Sequence, residues 1–424
     1  MEEETIFNKI VDILKRYVDM DEKYYTIVTL WIVGTYFHDN FRTFPYLFLN
    51  ASKGSGKTRL LKLIAFLSDN GKVLGLPSEA FLFRMSRKMT FCLDEMENIE
   101  RKESNSLRLL LNSSYKKGLF IPRMKKNKDG DMITEEFEAF APICIANIWG
   151  LDDVLQDRCI SITLEKSKNP SITRKIEAWE YDDDVKYIKN FITNELKQCS
   201  LCSVVMMNRY VEKIWNDLLD TTQTTQTTTT TTTQLNTQTT PSPIRVAFSN
   251  LDWKEKYEIE PTKELMIFIE GVYESNLSGR NLEIYFPLFA ISSLFGDNIF
   301  KNTIKIASEE TIKKDQEDIF ENRDTTLIYS LLMMEGIETL EWISINTIKN
   351  NMKEIVGEEK EKKDGSIMKT VPKWLNSKWL GRALKRLNLN KNKRRTSHGI
   401  DVIIDMDKLR RYNKIYGLTN QTTF

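Results

Sequence analysis

The chain is poor in the residues that build metal and disulfide frameworks, with two histidines, His38 and His398, and five cysteines in 424 residues. An odd number of cysteines scattered along the chain argues against a disulfide scaffold. Cys199 and Cys202 have metal-like spacing, but no second Cys pair or His pair accompanies them, so a four-ligand zinc site is not expected. No run of about 18 apolar residues occurs, which excludes a membrane-spanning helix by length. The acidic opening Met1-Glu2-Glu3-Glu4 is unlike the cationic start of a secretory signal, so a cytoplasmic location with no membrane partner is expected. Net charge is lacking too. Against 60 Asp and Glu stand 61 Lys and Arg, a formal charge of +1, so any attraction to nucleic acid has to come from local clustering.

What is present is ordinary globular composition, 41% apolar and 29% charged, in a length that allows two or three domains with their own cores. Residues 1–42 predict a helical prefix packed on the next domain: Ile6, Ile10, Ile13, Leu14 and Tyr17 share a helical stripe, and a second apolar helix runs from Tyr24 to Phe37. Over 43–168 short apolar runs alternate with helical stretches, the pattern of an α/β core with a parallel sheet flanked by helices. Strands are expected at Tyr46 to Asn50, Lys72 to Leu76, Met89 to Leu93, Ile143 to Asn147 and Cys159 to Leu164. Residues 169–310 predict a helical region interrupted at 221–243. There the run Thr221 to Thr240 is almost entirely Thr and Gln, too polar to offset its ordering entropy, and is expected to be a flexible insertion. A compact segment, 324–416, ends in strongly basic sequence.

The run Ala51-Ser52-Lys53-Gly54-Ser55-Gly56-Lys57-Thr58 lies between the first strand and an apolar helix, the setting that distinguishes a phosphate-binding P-loop from a chance match. Gly54 and Gly56 let backbone N–H groups turn onto phosphates, and the helix N-terminus adds its positive end. Lys57 is suited to the β- and γ-phosphates of ATP, and the Thr58 hydroxyl to Mg²⁺. The usual pattern opens with Gly where this chain has Ala51; one methyl is the smallest change, and ATP binding is expected to survive it. The strand Met89 to Leu93 ends in Asp94 and Glu95, which fit the Mg²⁺ role and the base that orients attacking water. A Gly/Ser-rich turn with an incidental lysine is the alternative, weakened by these carboxylates arriving at the right distance.

Two further elements follow in order, Asn147 at the end of an apolar strand and Arg158 in Gln156-Asp157-Arg158-Cys159 before the next. With them the sequence resembles the AAA+ ATPases. That resemblance implies that Asn147 positions the lytic water, and that Arg158, in a run similar to the Ser-Arg-Cys box of clamp loaders, acts on a neighbouring subunit's nucleotide. Structural roles, an ion pair for Arg158 and a turn for Asn147, are the alternatives. Phe140 to Ala146, Asp157-Arg158, Gly279 to Ile291 and Trp379 to Lys385 look like a family of phage, plasmid and archaeal mobile-element proteins that often form the helicase-like half of primase-helicases. Arg280, in a segment similar to the lid helix of minichromosome maintenance helicases, is then the candidate for a γ-phosphate contact, with a surface arginine as the alternative.

Two regions are candidates for DNA. Gly118 to Phe137 predicts a β-hairpin whose tip carries Lys125, Lys126 and Lys128, and the helicases this chain resembles aim such a hairpin into a ring's pore. From Lys373 to Lys414 there are thirteen Lys or Arg against three Asp. Helix, basic turn and strand predict a winged-helix domain over 324–416, with Lys385, Arg386, Lys391, Lys393, Arg394 and Arg395 as contacts. The expected function is an oligomeric ATP hydrolase, such as a hexameric ring, coupling hydrolysis to DNA unwinding or translocation. The alternative is a non-motor switch, an initiator or helicase loader.

Overall fold

The computed structural model describes the chain except residues 1–2, 53, 76, 95–104, 127–130, 148–149, 197–210, 212–213, 216, 221–241, 252, 258–261, 322, 335, 338–340, 362–366, 373, 398, 417 and 419–424. Lys53, Glu95, Lys128, Cys199, Cys202, His398 and nearly all of the insertion expected at 221–243 lie outside the described residues. Contacts divide the chain into two compact units, Met1–Glu309 and Glu310–Phe424. The three segments expected at 1–42, 43–168 and 169–310 thus fall almost wholly in the first.

The strands of the first unit are β1 (Tyr46–Ala51), β2 (Lys72–Leu74), β3 (Phe91–Leu93), β4 (Phe120–Lys126), β5 (Met132–Glu138), β6 (Ile143–Asn147) and β7 (Cys159–Leu164). Five of them form a sheet in the order β2-β3-β6-β1-β7, with every pairing parallel. The five strands expected from the sequence are these five, with ends differing by no more than two residues. β4 and β5 make a separate antiparallel hairpin.

Side chains alternate between the two faces of a strand, so each apolar run serves two cores. Leu47, Leu49 and Ala51 of β1, with Cys144, Ala146, Ile160 and Ile162, join the larger core. It is built from α1 (Glu3–Tyr17), α2 (Glu22–Thr35) and α3 (Lys57–Leu67), together with later helices. Tyr46, Phe48, Phe91, Leu93, Ile143 and Ile145 point the other way. They pack on Leu82 and Phe83 of α4 (Glu79–Met85), Leu110 and Leu111 of α5 (Asn105–Ser113) and Leu155 of α6 (Asp153–Gln156).

The first two helices are more than a prefix laid on a finished domain. Every residue from Tyr24 to Thr35 of α2 is buried, as expected of a helix apolar on all sides. The Trp31 indole N–H donates to the Pro45 carbonyl at 2.8 Å, just ahead of β1. His38 is a core residue: its Nδ1 lies 2.9 Å from the Thr35 carbonyl, and burial pushes its pKa down. After β7 come α7 (Pro170–Thr173), α8 (Asp183–Phe191), α9 (Pro243–Asn250), α10 (Trp253–Tyr257), α11 (Lys263–Glu274), α12 (Gly279–Ser292) and α13 (Asp297–Glu321). Leu265, Phe268, Ile284 and Leu288 of this helical region extend the larger core.

The second unit contains α14 (Arg323–Leu332), β8 (Ile343–Ser344), α15 (Ile345–Val356), β9 (Glu358–Glu361), β10 (Ile367–Thr370), α16 (Ser377–Arg386), β11 (Asn390–Thr396), β12 (Gly399–Ile404) and α17 (Met406–Tyr416). β11, β12 and β8 form an antiparallel sheet in that order, and Leu327, Ile348, Leu380, Leu384 and Val402 belong to this unit's own core. Among the described residues no helix is long and apolar enough to cross a membrane.

Candidate functional site

In open parallel sheets ligands bind beyond the carboxyl ends of the strands. At that edge β1 runs into residues 52–56, and α3 starts at Lys57 with Gly56 as its N-cap. Gly54 and Gly56 have φ of +82° and +90°, which strains any residue with a side chain. The loop is closed by Ser55, whose N–H and hydroxyl both donate to the Ser52 carbonyl, at 3.3 and 2.8 Å. No side chain caps α3, so first-turn N–H groups remain available to an anion. Ala51 is the last residue of β1, outside the positive-φ region, with its methyl buried in the larger core. Glycine is not needed at this position.

Asp94 follows β3 and meets the start of α3. Its Oδ2 accepts from the Thr58 hydroxyl at 3.2 Å, and its Oδ1 lies 3.9 Å from Lys57 Nζ. β1 and β3 are not neighbours, because β6 lies between them. Asn147 ends β6 opposite Asn50, buried, and donates through Nδ2 to the Gly150 carbonyl at 2.8 Å.

Around Lys57 opens a cavity of about 690 Å³, within the usual range for a small-molecule site. Ser52, Gly54, Ser55, Gly56, Thr58 and Asp94 bound it on the loop side, and Asn147 does not. The opposite wall was not legible in the sequence. Tyr17, Val18 and Asp19 come from the end of α1, and Lys166, Ser167, Ile172, Thr173 and Glu177 from the chain after β7. Arg59 pins that chain by donating to the Ile172 and Lys175 carbonyls at 2.8 and 2.9 Å. The Ser167 hydroxyl donates to Asp19 at 2.6 Å, and Arg16 pairs with Asp182 at 2.5 Å, so the two segments are laced together. The stripe ending at Tyr17 signals a buried helix, but nothing in its spacing signals a ligand.

The two arginines lie elsewhere. Tyr46, at the amino end of β1, donates its N–H to the Arg158 carbonyl. From there to Ala51 is roughly 16 Å of strand, more than an arginine side chain spans. Arg158 donates to the carbonyls of Asn112 and Val154, and its guanidinium lies 5.0 Å from the Tyr115 ring centroid. The Arg280 guanidinium is 4.6 Å from the same centroid and donates to the Tyr115 hydroxyl and, at 2.7 Å, to Glu283. Burial pulls the Arg280 pKa down, but the Tyr115 hydroxyl, Glu283 and Asp157 outweigh it and hold the group charged. Arg280 is thus gathered with Arg158 at the amino edge of the sheet, away from its own chain's phosphate loop.

The hairpin also leaves the amino edge. Its register runs from Phe120 opposite Glu138 to Lys126 opposite Met132, and Phe137 stacks on Phe83 to root it on α4. Lys125 and Lys126 are exposed, Lys125 lying 3.9 Å from Glu135. Phe120, Met124 and Met132 are each more than half exposed.

In the second unit the candidate cations separate into two groups. Arg386 binds Asp324 through Nε and Nη2 at 2.9 and 2.5 Å, which raises its pKa. Arg394 pairs with Asp401 at 3.1 Å and stacks on Trp342, while Lys391 lies 3.5 Å from Asp405. Lys385, Lys393 and Arg395 are exposed, with no ionic partner among the described residues. Lys378 and Arg382, not singled out from the sequence, share that state and fall on one face of α16 with Lys385, at helical spacing. The apolar positions Leu380 and Leu384 on the buried side could have located that face.

No protein-family model matches the chain, and no curated protein matches it in sequence.

Proposed function

We propose that the chain is an ATP hydrolase whose site is the cavity around Lys57, and that its output is work on DNA. The observation that carries this reading is the convergence of Lys57, Thr58 and Asp94, from non-adjacent strands, on a cavity floored by two glycines in the left-handed region. Lys57 is suited to the β- and γ-phosphates of the substrate, and the first turn of α3 to an oxyanion. The Thr58 hydroxyl and the Asp94 carboxylate, 3.2 Å apart, are oxygen donors of the type Mg²⁺ prefers. Mg²⁺ there would neutralise charge on the phosphates. Asp94 also faces both Lys57 and Thr58, one through each carboxylate oxygen. Glu95 is the proposed base, and Asn147 the proposed orienting amide at the end of β6.

The amino edge gives this reading its oligomeric form. Arg158 cannot reach the phosphates of its own chain, so a finger role requires a second copy, as in a homo-oligomeric ring of the AAA+ type. On the same reading the helices at 169–310 are the lid, the hairpin carries Lys125, Lys126 and Lys128 toward DNA, and the second unit is a winged helix. The exposed stripe Lys378, Arg382 and Lys385 on α16 is its principal phosphate-contacting surface, with Lys393 and Arg395 beside it.

The direct test is ATPase activity with Mg²⁺, with and without single-stranded DNA, alongside solution mass. Lys57→Ala should lower turnover at least about a hundredfold. DNA-stimulated turnover by an oligomer supports the motor; turnover without strand displacement turns the reading to a loader or initiator. No turnover at all overturns it. For the DNA surface, Lys378→Ala with Arg382→Ala should reduce the salt dependence of binding by about two counterions, while Arg386→Ala leaves it unchanged.

A further inference from the structure

Tyr115 has a role that no motif marks. We propose that it is a positioning residue, holding Arg158 and Arg280 as one rigid pair for presentation to the nucleotide of a neighbouring copy of this chain; this rests on the reading above of an ATPase completed by a second copy.

Both guanidiniums lie against the ring, with centres 5.0 and 4.6 Å from its centroid, and its hydroxyl accepts from Arg280. Arginine side chains carry about 2 kcal/mol of rotamer entropy, which a flat aromatic face and fixed acceptors remove before any ligand arrives. Tyr115 is buried in the smaller core, and its carbonyl accepts from the Phe44 N–H at 2.9 Å. Two cations on one ring repel, and flanking carboxylates offset this: Asp157 lies 3.5 Å from Arg280 Nε, and Glu283 binds Arg280 at 2.7 Å and Lys116 at 3.2 Å. Three cations against two carboxylates leave this patch net positive, which suits a polyphosphate.

Tyr115 is also two residues from the start of the hairpin's anchorage. Lys117 N–H donates to the Arg42 carbonyl at 2.8 Å, and Gly118 N–H to Glu138 at the foot of β5 at 2.7 Å. The arginine pair and the hairpin therefore share one fixed base.

The test mixes chains. Tyr115→Leu removes the face and the hydroxyl and should lower kcat by about a hundredfold in a chain that is somewhat less stable but still folded at the assay temperature, with ATP-analogue affinity near that of the wild type. Tyr115→Phe keeps the face and should lose only about tenfold in kcat, with KM unchanged. Lys57→Ala chains retain an intact arginine edge, so mixing them with Tyr115→Leu chains should give more activity than the two sum to alone. If that mixture stays at the sum while Arg158→Ala with Lys57→Ala complements, the role of Tyr115 is refuted and the shared site stands. If neither mixture complements, the shared site is refuted and the proposal with it. Loss of ATP binding or unfolding in Tyr115→Leu, together with wild-type kcat in Tyr115→Phe, would make Tyr115 a structural residue and overturn the proposal.

Discussion

The two edges of the parallel sheet hold charge in opposite ways. At the carboxyl edge Lys57, Thr58 and Asp94 meet at 3.2 and 3.9 Å around a cavity of about 690 Å³. At the amino edge Arg158 and Arg280 close on a buried ring, two carbonyls and two carboxylates, and the cavity of about 320 Å³ beside them is lined by Lys116 and Glu283 rather than by either arginine. At one edge the charged side chains line the cavity, and at the other the arginines are held by contacts within the chain.

That contrast can be broken or sharpened by substitution. Arg280→Ala should cost the amino edge about 2 kcal/mol of stability, because hydrogen bonds to charged partners are lost and carboxylates are left facing each other. Denaturant titration reads this, and ATP-analogue affinity should not move; if affinity falls instead, the edges are not independent. Gly56→Ala acts on the other edge. A Cβ there meets nothing within 4 Å, so the cost is that of a left-handed backbone alone, about 1–2 kcal/mol, read as a roughly tenfold loss of ATP affinity. Ala51→Gly restores the usual motif residue, yet should destabilise by about 1 kcal/mol by emptying a buried methyl and loosening the strand, with unchanged ATP affinity. A gain in affinity would mean that the alanine does distort the loop.

A pH-dependent effect belongs to His38, whose ring packs on Phe44 and Phe140 just ahead of β1 and β6. Its folded pKa is depressed by burial below the ordinary value of about 6.5. Below that pH the unfolded chain takes up a proton that the folded chain refuses. Stability contributed by the neutral ring is therefore full above about pH 6.5 and falls as pH drops, by at most 1.4 kcal/mol per pH unit, roughly the limit for one proton. His38→Phe should flatten that slope in melting curves taken between about pH 5 and 7.

The carboxyl edge was largely legible in the sequence. The phosphate loop is local, and a strand ending in Asp94 is visible wherever apolar runs stop at a carboxylate. All five strands were legible for the same reason, since a parallel sheet buried on both faces is written as short apolar runs between helices. The cavity's far wall was not. Tyr17, Asp19 and Glu177 act through contacts with residues more than a hundred positions away, and local pattern holds no record of them. Arg280 was noticed, but its place beside Arg158 depends on Tyr115, an aromatic residue in a turn with no motif around it. In the second unit charge and the helix, turn and strand pattern pointed to the basic tail, yet neither could separate Arg386 and Arg394, bound to aspartates, from Lys378 and Arg382, which face solvent.

The position of β6 has a consequence for both edges. It pairs with β1 over Cys144–Asn147 and with β3 over Ile143–Ile145, which makes it a central strand of the sheet. One end carries Asn147, beside the end of the strand that leads into the phosphate loop. Beyond the other, across residues 139–142, lies Glu138 at the foot of the hairpin. One short extended segment thus separates the phosphate-loop edge from the foot of the hairpin. Both edges of the sheet are tied to that segment, so a substitution within β6 is placed to disturb the two together.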